Sequence, residues 1–268
     1  MAALMFPQFD PTLIQIGPFA SRWYALAYLV GLVLGWRLLR RTVRLSPVVA
    51  TPEQVDDFLT WATLGVVLGG RLGYVLFYQP SRFLAHPDEI IAVWQGGMSF
   101  HGGALGVILA TIWFCHRRGI PLLGFGDRLV VSVPIGLGLG RIANFINGEL
   151  WGRAAPDWLP WGMIFPNAGP LPLHPSQLYQ ALMEGLILFV LLFALSRREC
   201  VRARAGFLGG LFLAGYAVAR IVGELFREPD AFLVGVLPGW VTMGQLLSAP
   251  MLLAGIWLMV RRAKPLAS

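Results

Sequence analysis

Residues 127–152 read DRLVVSVPIGLGLGRIANFINGELWG. Between Leu129 and Ile146 the stretch is apolar save for Ser132, Arg141 and Asn144. A bilayer's hydrocarbon core of ~30 Å takes ~20 residues of helix, so the stretch predicts a transmembrane helix over 127–146. Arg141 then lies five residues before the helix end. An ionisable group at the bilayer centre costs ~2.5 to 3.5 kcal/mol, so it needs a partner or a polar cavity. A helix that carries an arginine towards Asn144, Asn147 and Glu149 points to a polar site at the edge of a membrane.

The rest of the chain agrees with a membrane setting. Its 268 residues are 56% hydrophobic and 13% charged, with a mean hydropathy of +0.66, whereas soluble domains carry ~25% charged residues. Six further apolar runs fall at 22–39, 57–77, 98–115, 176–196, 207–226 and 240–260. The predicted fold class is an all-α integral membrane protein with seven transmembrane helices, a single polytopic domain over 1–268. Thr51-Pro52-Glu53-Gln54 has the capping threonine, first-turn proline and third-position glutamine of a helix start. The longest break, 147–175, carries Pro156, Pro160, Pro166, Pro170, Pro172 and Pro175 and predicts a loop with its own turns between helices four and five.

Basic residues set the expected orientation. Arg37, Arg40, Arg41 and Arg44 follow the first run, and Arg117, Arg118 and Arg128 lie between the third and fourth. Arg197, Arg198, Arg202 and Arg204 follow the fifth, and Arg261, Arg262 and Lys264 follow the last, which sorts 14 of the 21 Lys and Arg to one side. The positive-inside rule makes that side cytoplasmic, with a periplasmic N-terminus, a periplasmic 147–175 loop and a cytoplasmic C-terminus. The first twenty residues have no Lys or Arg, hence no basic signal-peptide region, and the N-terminus is expected to be kept. The net charge of +7 reflects topology; no helix-turn-helix or zinc pattern accompanies it, and nucleic acid is excluded as a partner.

Few ionisable groups lie inside the runs: Arg71, His101, Arg141, Glu184, Arg220 and Glu224. With ~1.5 Å of rise per residue, Arg71, His101, Arg141 and Arg220 all fall within ~10 Å of the outer boundary, where Tyr24 opens the first helix. Tyr216, Arg220 and Glu224, spaced i, i+4, i+8, share one helix face. Glu184 reads as deep and apart from the others, a buried hydrogen-bonding group rather than a chemical one. Arg71 reads equally well as a structural charge, and His101 as a helix-end histidine. Gly102 and Gly103 beside it serve either close helix packing or the approach of a ligand. Two arginines in a lipid-accessible chamber point to an anion, and planar guanidinium forks match phosphate oxygens. HExxH, clustered Cys/His and GxSxG patterns are all missing from the sequence, so metal-assisted hydrolysis and a serine nucleophile are not expected.

Gly140-Arg141, Asn144-Phe145, Asn147, Glu149 and Gly152 together resemble the signature of bacterial prolipoprotein diacylglyceryl transferases. The resemblance continues through Arg22-Trp23-Tyr24, His101-Gly102-Gly103, His174-Pro175-Ser176-Gln177-Leu178-Tyr179 and Arg220 to Phe226-Arg227-Glu228-Pro229-Asp230. Ala143 and Ala104 depart from it without removing a functional group. The resemblance implies transfer of a diacylglyceryl group from phosphatidylglycerol to the lipobox cysteine of a preprolipoprotein, in the bacterial inner membrane and without a cofactor. It also implies His101, Arg141 and Arg220 as the residues most tied to activity, with Tyr24, Asn144, Glu149 and Gly152 in support. Arg71, Asn147, Tyr216 and Glu224 join these as expected substrate contacts. The competing classes are an anionic-lipid transporter, against which the outer-half clustering of polar groups counts, and a non-enzymatic lipid-binding protein. Cys115 and Cys200 fall at the expected cytoplasmic helix ends, too far from the chamber to act, so the attacking sulfur must arrive on the substrate.

Overall fold

Helices account for most of the chain, and their starts are written into the sequence. The computed structural model describes residues 4–7, 9–10, 12–16, 19–227 and 242–261. These divide into two compact units, one drawn from residues 1–39 and 127–267 and the other from residues 40–126. The first helix, α1, spans Trp23–Thr42.

In the unit of residues 40–126, α2 (Pro52–Phe77) begins as the sequence predicts. The Gln54 N–H donates to Thr51 Oγ1 at 3.3 Å and the Thr51 N–H to Gln54 Oε1 at 2.9 Å, with Pro52 in the first turn. A short helix, α3 (Pro80–Ala85), and two 3₁₀ turns at Pro87–Ile91 and Val93–Gln95 lead to α4 (Phe100–Arg118). Ser99 Oγ accepts from the Gly102 N–H at 3.2 Å, and Gly119 closes α4 with φ +65°. α2 and α4 cross on glycine. A methyl group built on Gly69 would lie 2.3 Å from the Gly102 carbonyl oxygen, and one on Gly106 2.0 Å from that of Gly65. This is the small-residue seam by which helices approach in lipid, where no hydrophobic force drives them together. Of the two roles open to Gly102 in the sequence, close helix packing is the one realised. At the opposite end Phe58 meets Phe114 and Phe125, and Arg118 pairs with Asp57 at 2.6 Å.

In the other unit, the run predicted as one helix over 127–146 is two: α5 (Leu122–Leu129) and α6 (Val133–Ile146). Pro134 explains the break, because it lacks an N–H and its ring clashes with the carbonyl four residues back. The next run is also interrupted, as α7 (Ser176–Gln180), an i→i+5 turn over Ala181–Ile187, and α8 (Leu188–Ser196). A short α9 (Glu199–Arg202) precedes α10 (Phe207–Glu224), whose first turn is held by Asp127 accepting from the Gly206 and Gly209 N–H groups at 2.8 and 2.7 Å. α11 (Met243–Val260) starts on a second capping box, Thr242 with Gln245. Val131, Leu188, Leu192 and Leu208 form one apolar core. Within 147–175, β4 (Met163–Ile164) pairs in parallel with β1 (Leu4–Met5) over a second core of Phe6, Met163, Phe165 and Leu173. β2 (Thr12–Ile16) and β3 (Phe19–Arg22) form an antiparallel hairpin.

Among the described residues, five helical segments are long and apolar enough to cross a membrane: Pro52–Phe77, Leu122–Ile146, Ser176–Ser196, Phe207–Glu224 and Met243–Val260. α1 and α4 occupy the first and third predicted runs but end in Arg40 and Arg41 and in His116, Arg117 and Arg118, which lowers their apolar character. Residues 240–241 of the last run, the motif residues Glu228, Pro229 and Asp230, and Arg262 and Lys264 lie outside the described residues. The glycine seam makes a direct prediction. Gly102→Val should destabilise the protein by ~1 to 3 kcal/mol through overpacking, read as a lower midpoint of thermal unfolding in detergent. Gly126→Ala, with nothing within 4 Å of the added methyl, should unfold at or above the wild-type temperature.

Candidate active site

α6 and the helix that follows the 147–175 region meet at two glycines. A methyl group on Gly185 would lie 2.6 Å from the Gly138 Cα, so the backbones touch with no side chain between them. Arg141 is three residues beyond Gly138, and Glu184 is the neighbour of Gly185. The crossing therefore sets a guanidinium against a carboxylate. Glu184 is fully buried, and its Oε2 lies 3.5 Å from both Nε and Nη2 of Arg141. Arg220 comes in from α10, with Nη1 4.0 Å from Glu184 Oε1 and Nη2 2.6 Å from Oε1 of buried Glu224. Arg227 closes the group with Nε 3.6 Å from Glu224 Oε1.

Glu184 is thus the centre of the charged cluster, which corrects its reading as a residue apart from the others. It lies eight residues after the start of α7, within 4.0 Å of both Arg141 and Arg220. The i→i+5 turn that carries it is a feature found often at functional sites. Arg220 and Glu224 do form an i, i+4 pair, although Arg preceding Glu is the weaker orientation.

Several buried polar atoms around this cluster lack a hydrogen-bond partner among the described residues: Arg220 Nη1, Glu184 Oε1, Glu224 Oε1, Gln180 Nε2, Gln177 Oε1 and Asn147 Oδ1. Buried polar groups are satisfied in the great majority of cases, so these neighbouring side chains keep hydrogen-bonding capacity to spare. Both donors and acceptors are represented.

The loop beyond α6 is locked by its own polar groups. Asn144 and Asn147 donate from Nδ2 to Glu149 Oε1 at 2.9 and 3.3 Å, so Glu149 organises the turn that ends α6. Ser176 Oγ and Gln177 Nε2 donate to the carbonyls of Leu150 and Glu149 at 3.1 and 2.7 Å. Gly152 is fixed sterically, since a methyl group there would lie 2.1 Å from the Phe226 carbonyl oxygen. Beside it His174 Nδ1 lies 3.2 Å from the Tyr179 hydroxyl, which accepts from Trp161 Nε1 at 2.7 Å. Burial, with a contribution from the Arg153 guanidinium, holds the His174 imidazole below its usual pKa. Tyr216 stacks on Phe212 one turn before Arg220. Tyr24, half-buried on α1, has its hydroxyl 3.4 Å from that of Tyr28.

The unit of residues 40–126 holds the remaining two predicted residues. Arg71 is buried and spends its guanidinium on backbone: Nε donates to Ile90 O at 2.8 Å, Nη1 to Gly96 O and Gly97 O at 2.6 and 3.2 Å, and Nη2 to Glu89 O at 2.5 Å. Those bonds, and the Phe83 ring 5.1 Å beneath the guanidinium carbon, make it the clamp of its own loop. They leave it little capacity for the substrate contact expected of it. His101 stands exposed in the first turn of α4.

The prolipoprotein diacylglyceryl transferase family matches residues 11–261. A phosphatidylglycerol–prolipoprotein diacylglyceryl transferase from Gluconacetobacter diazotrophicus is 62% identical over 99% of this chain and 96% of its own length. Relatives with the same name from Acidiphilium cryptum and Azospirillum brasilense are 60% and 54% identical, covering 98% and 100% of this chain and 95% and 100% of their own. The chain belongs to the prolipoprotein diacylglyceryl transferase family.

Of the polar residues gathered here, Gln180 was not singled out in the sequence, Gln177 only as part of the His174–Tyr179 motif, and Glu184 only as a buried hydrogen-bonding group. Their signal was available: Gln177, Gln180 and Glu184 join Ser176 and Tyr179 as polar residues within the first nine of a run that is otherwise mostly apolar. In lipid such residues need each other or a ligand. Arg71 offers a test of the division of labour. Arg71→Lys replaces a fork that bonds four carbonyls with a single ammonium, so amide hydrogen exchange across residues 89–97 should quicken while α2 and α4 keep their protection. Unchanged exchange in that loop would mean that the clamp is not what holds it.

Proposed function

We propose that the chain transfers the diacylglyceryl group of phosphatidylglycerol to the thiol of a lipobox cysteine in a preprolipoprotein. The carbon–sulfur bond of a thioether forms as the carbon–oxygen bond to phosphate breaks, and glycerol phosphate leaves with the bonding electrons. Family membership and the names of the relatives support the reaction. The observation that carries it into this molecule is the pair Arg141 and Arg220, set about one buried carboxylate with a guanidinium nitrogen unsatisfied.

The chemistry asks for what such a cluster supplies. The leaving phosphate gains negative charge in the transition state, and preorganised guanidiniums in a low-dielectric site stabilise that charge with little reorganisation. A cysteine thiol with a pKa near ~8.5 is only slightly ionised at neutral pH, so a base is required, and His101 is assigned that role on its imidazole and the family resemblance. The orphaned amides of Gln177 and Gln180 are suited to the hydroxyl groups of the lipid head. We further assign the chain seven membrane spans in one polytopic domain in the bacterial inner membrane. The N-terminus and the 147–175 loop face the periplasm and the C-terminus the cytoplasm, as the sorting of basic residues requires.

Incubating the purified protein with phosphatidylglycerol and a lipobox peptide should yield a peptide heavier by one diacylglyceryl group, and a transporter or passive lipid binder would yield none. In that assay Arg141→Lys and Arg220→Lys should each lose most activity, since an ammonium does not reproduce a planar fork on phosphate. Near-normal turnover in both would remove the phosphate clamp. His101→Gln should slow transfer by ~10² to 10⁴, with a smaller defect at pH 9 than at pH 7 because the peptide thiol then ionises unaided. An equal defect at both, with peptide saturating, would reassign His101 to positioning. Single cysteines at Ala155 and Ala263 should differ in labelling by an impermeant reagent in cells with a permeabilised outer membrane, Ala155 being the accessible one; equal labelling would overturn the orientation.

A further inference from the structure

Glu184 has no part in the bond changes proposed above, yet it is the most buried member of the charged cluster and lies between its two key arginines. Its distances are unusual for a buried ion pair. A closed charge-assisted bond between guanidinium and carboxylate runs ~2.7 to 2.9 Å, whereas Glu184 stands 3.5 Å from Arg141 and 4.0 Å from Arg220. Glu184 Oε1 and Arg220 Nη1 face each other across that wider gap, and both lack a hydrogen-bond partner. Arg220 Nη2 lies closer to its other carboxylate, 2.6 Å from Glu224 Oε1, an atom that also lacks a hydrogen-bond partner among the described residues. Arg220 is therefore held between two carboxylates by charge, with Glu184 near enough to feel its charge but too far to occupy the Nη1 N–H.

The sum of charges completes the picture. Glu184 sets one negative charge between the guanidiniums of Arg141 and Arg220 and so lowers by one the positive charge that a bound anion meets. A phosphate monoester, as released after transfer, carries more negative charge than a phosphodiester and loses more attraction by that reduction. Removal of Glu184 would leave two like guanidiniums without their shared counter-ion in a medium where such interactions are little screened.

We propose that Glu184 is a positioning residue that holds Arg141 and Arg220 side by side and lowers the positive charge of the cluster by one, so that phosphatidylglycerol is bound and glycerol phosphate is released. The inference rests on the transfer reaction above. It assigns to Glu184 the balance between grip and release, not a contact with the reacting atoms.

The test uses the full chain in lipid nanodiscs and glycerol phosphate as the probe, with binding followed by calorimetry and turnover followed with phosphatidylglycerol and a lipobox peptide. Glu184→Gln keeps the shape and removes the charge, so glycerol phosphate should bind about tenfold tighter or more, KM for phosphatidylglycerol should fall and kcat should fall as release slows. Glu184→Asp keeps the charge and should stay within about twofold of the wild-type affinity for glycerol phosphate. A purely packing role would lower stability in both variants and leave that affinity unmoved. If Glu184→Gln fails to fold, Gln180→Glu and Gln180→Ala compared with each other isolate the charge from the lost amide, since Gln180 lies one turn earlier and the carboxylate should bind glycerol phosphate several-fold more weakly than the alanine. Wild-type or weaker affinity in Glu184→Gln, or equal affinity in Gln180→Glu and Gln180→Ala, overturns the inference. Failure of the transfer reaction itself looks different: the wild-type protein would then form no adduct and bind no glycerol phosphate, and the inference would go with it.

Discussion

A carboxylate with no exposed surface, placed between two guanidiniums, is the interaction on which the rest of this molecule depends. A charge alone in an apolar bundle is costly, and none of Glu184, Arg141 and Arg220 stands alone. Together they form a charged cluster that the surrounding helices must be built to accommodate. The 147–150 turn, the polar start of α7 and the pairing of Arg220 with Glu224 all bear on where those groups can stand. If the proposed transfer runs on these groups, the stability of the unit and its chemistry rest on the same side chains.

Close backbone approach is the means by which that cluster is assembled. Gly138 meets Gly185, and Gly210 of α10 meets Gly255 of α11, where a methyl group on either would lie 2.6 Å from backbone. Packing between surfaces that are all equally apolar derives its specificity from shape, and a glycine face supplies shape in the form of a groove. The unit of residues 40–126 uses the same device at Gly69 and Gly102, and there it fixes the backbone on which His101 is mounted.

Much of this was legible in the sequence, and the exceptions have physical causes. Apolar runs marked the helices because span length is set by bilayer thickness, and Thr51 through Gln54 announced the start of α2 because capping is a local interaction. Arg141 and Arg220 stood out because a charge in an apolar run has few innocent explanations. The break before α6 was missed although Pro134 signals it, because the hydropathy of the run continues across it. Glu184 was misplaced because one-dimensional depth says nothing of which helices are neighbours. Arg71 could not be resolved from Gly70 and Leu72 around it, since its partners are carbonyls eighteen to twenty-six residues away, which carry no side-chain identity to read.

The i→i+5 turn over Ala181–Ile187 has a consequence of another kind. Gln180, Glu184, Leu188, Leu192 and Ser196 are all buried, four residues apart throughout. On a regular α-helix each step of four overshoots a full turn by ~40°, so that row would wind around to the far side of the helix by its end. The wider turn absorbs part of the overshoot and keeps the polar half and the apolar half of the helix addressed to the same neighbours. It works as an index mark: chain length between Gln180 and Leu188 determines which way Glu184 points. Substitutions on either side can be accommodated locally, but the gain or loss of one residue there would turn one half of the helix by ~100° against the other. This segment is therefore constrained in its length even where it is free in its composition.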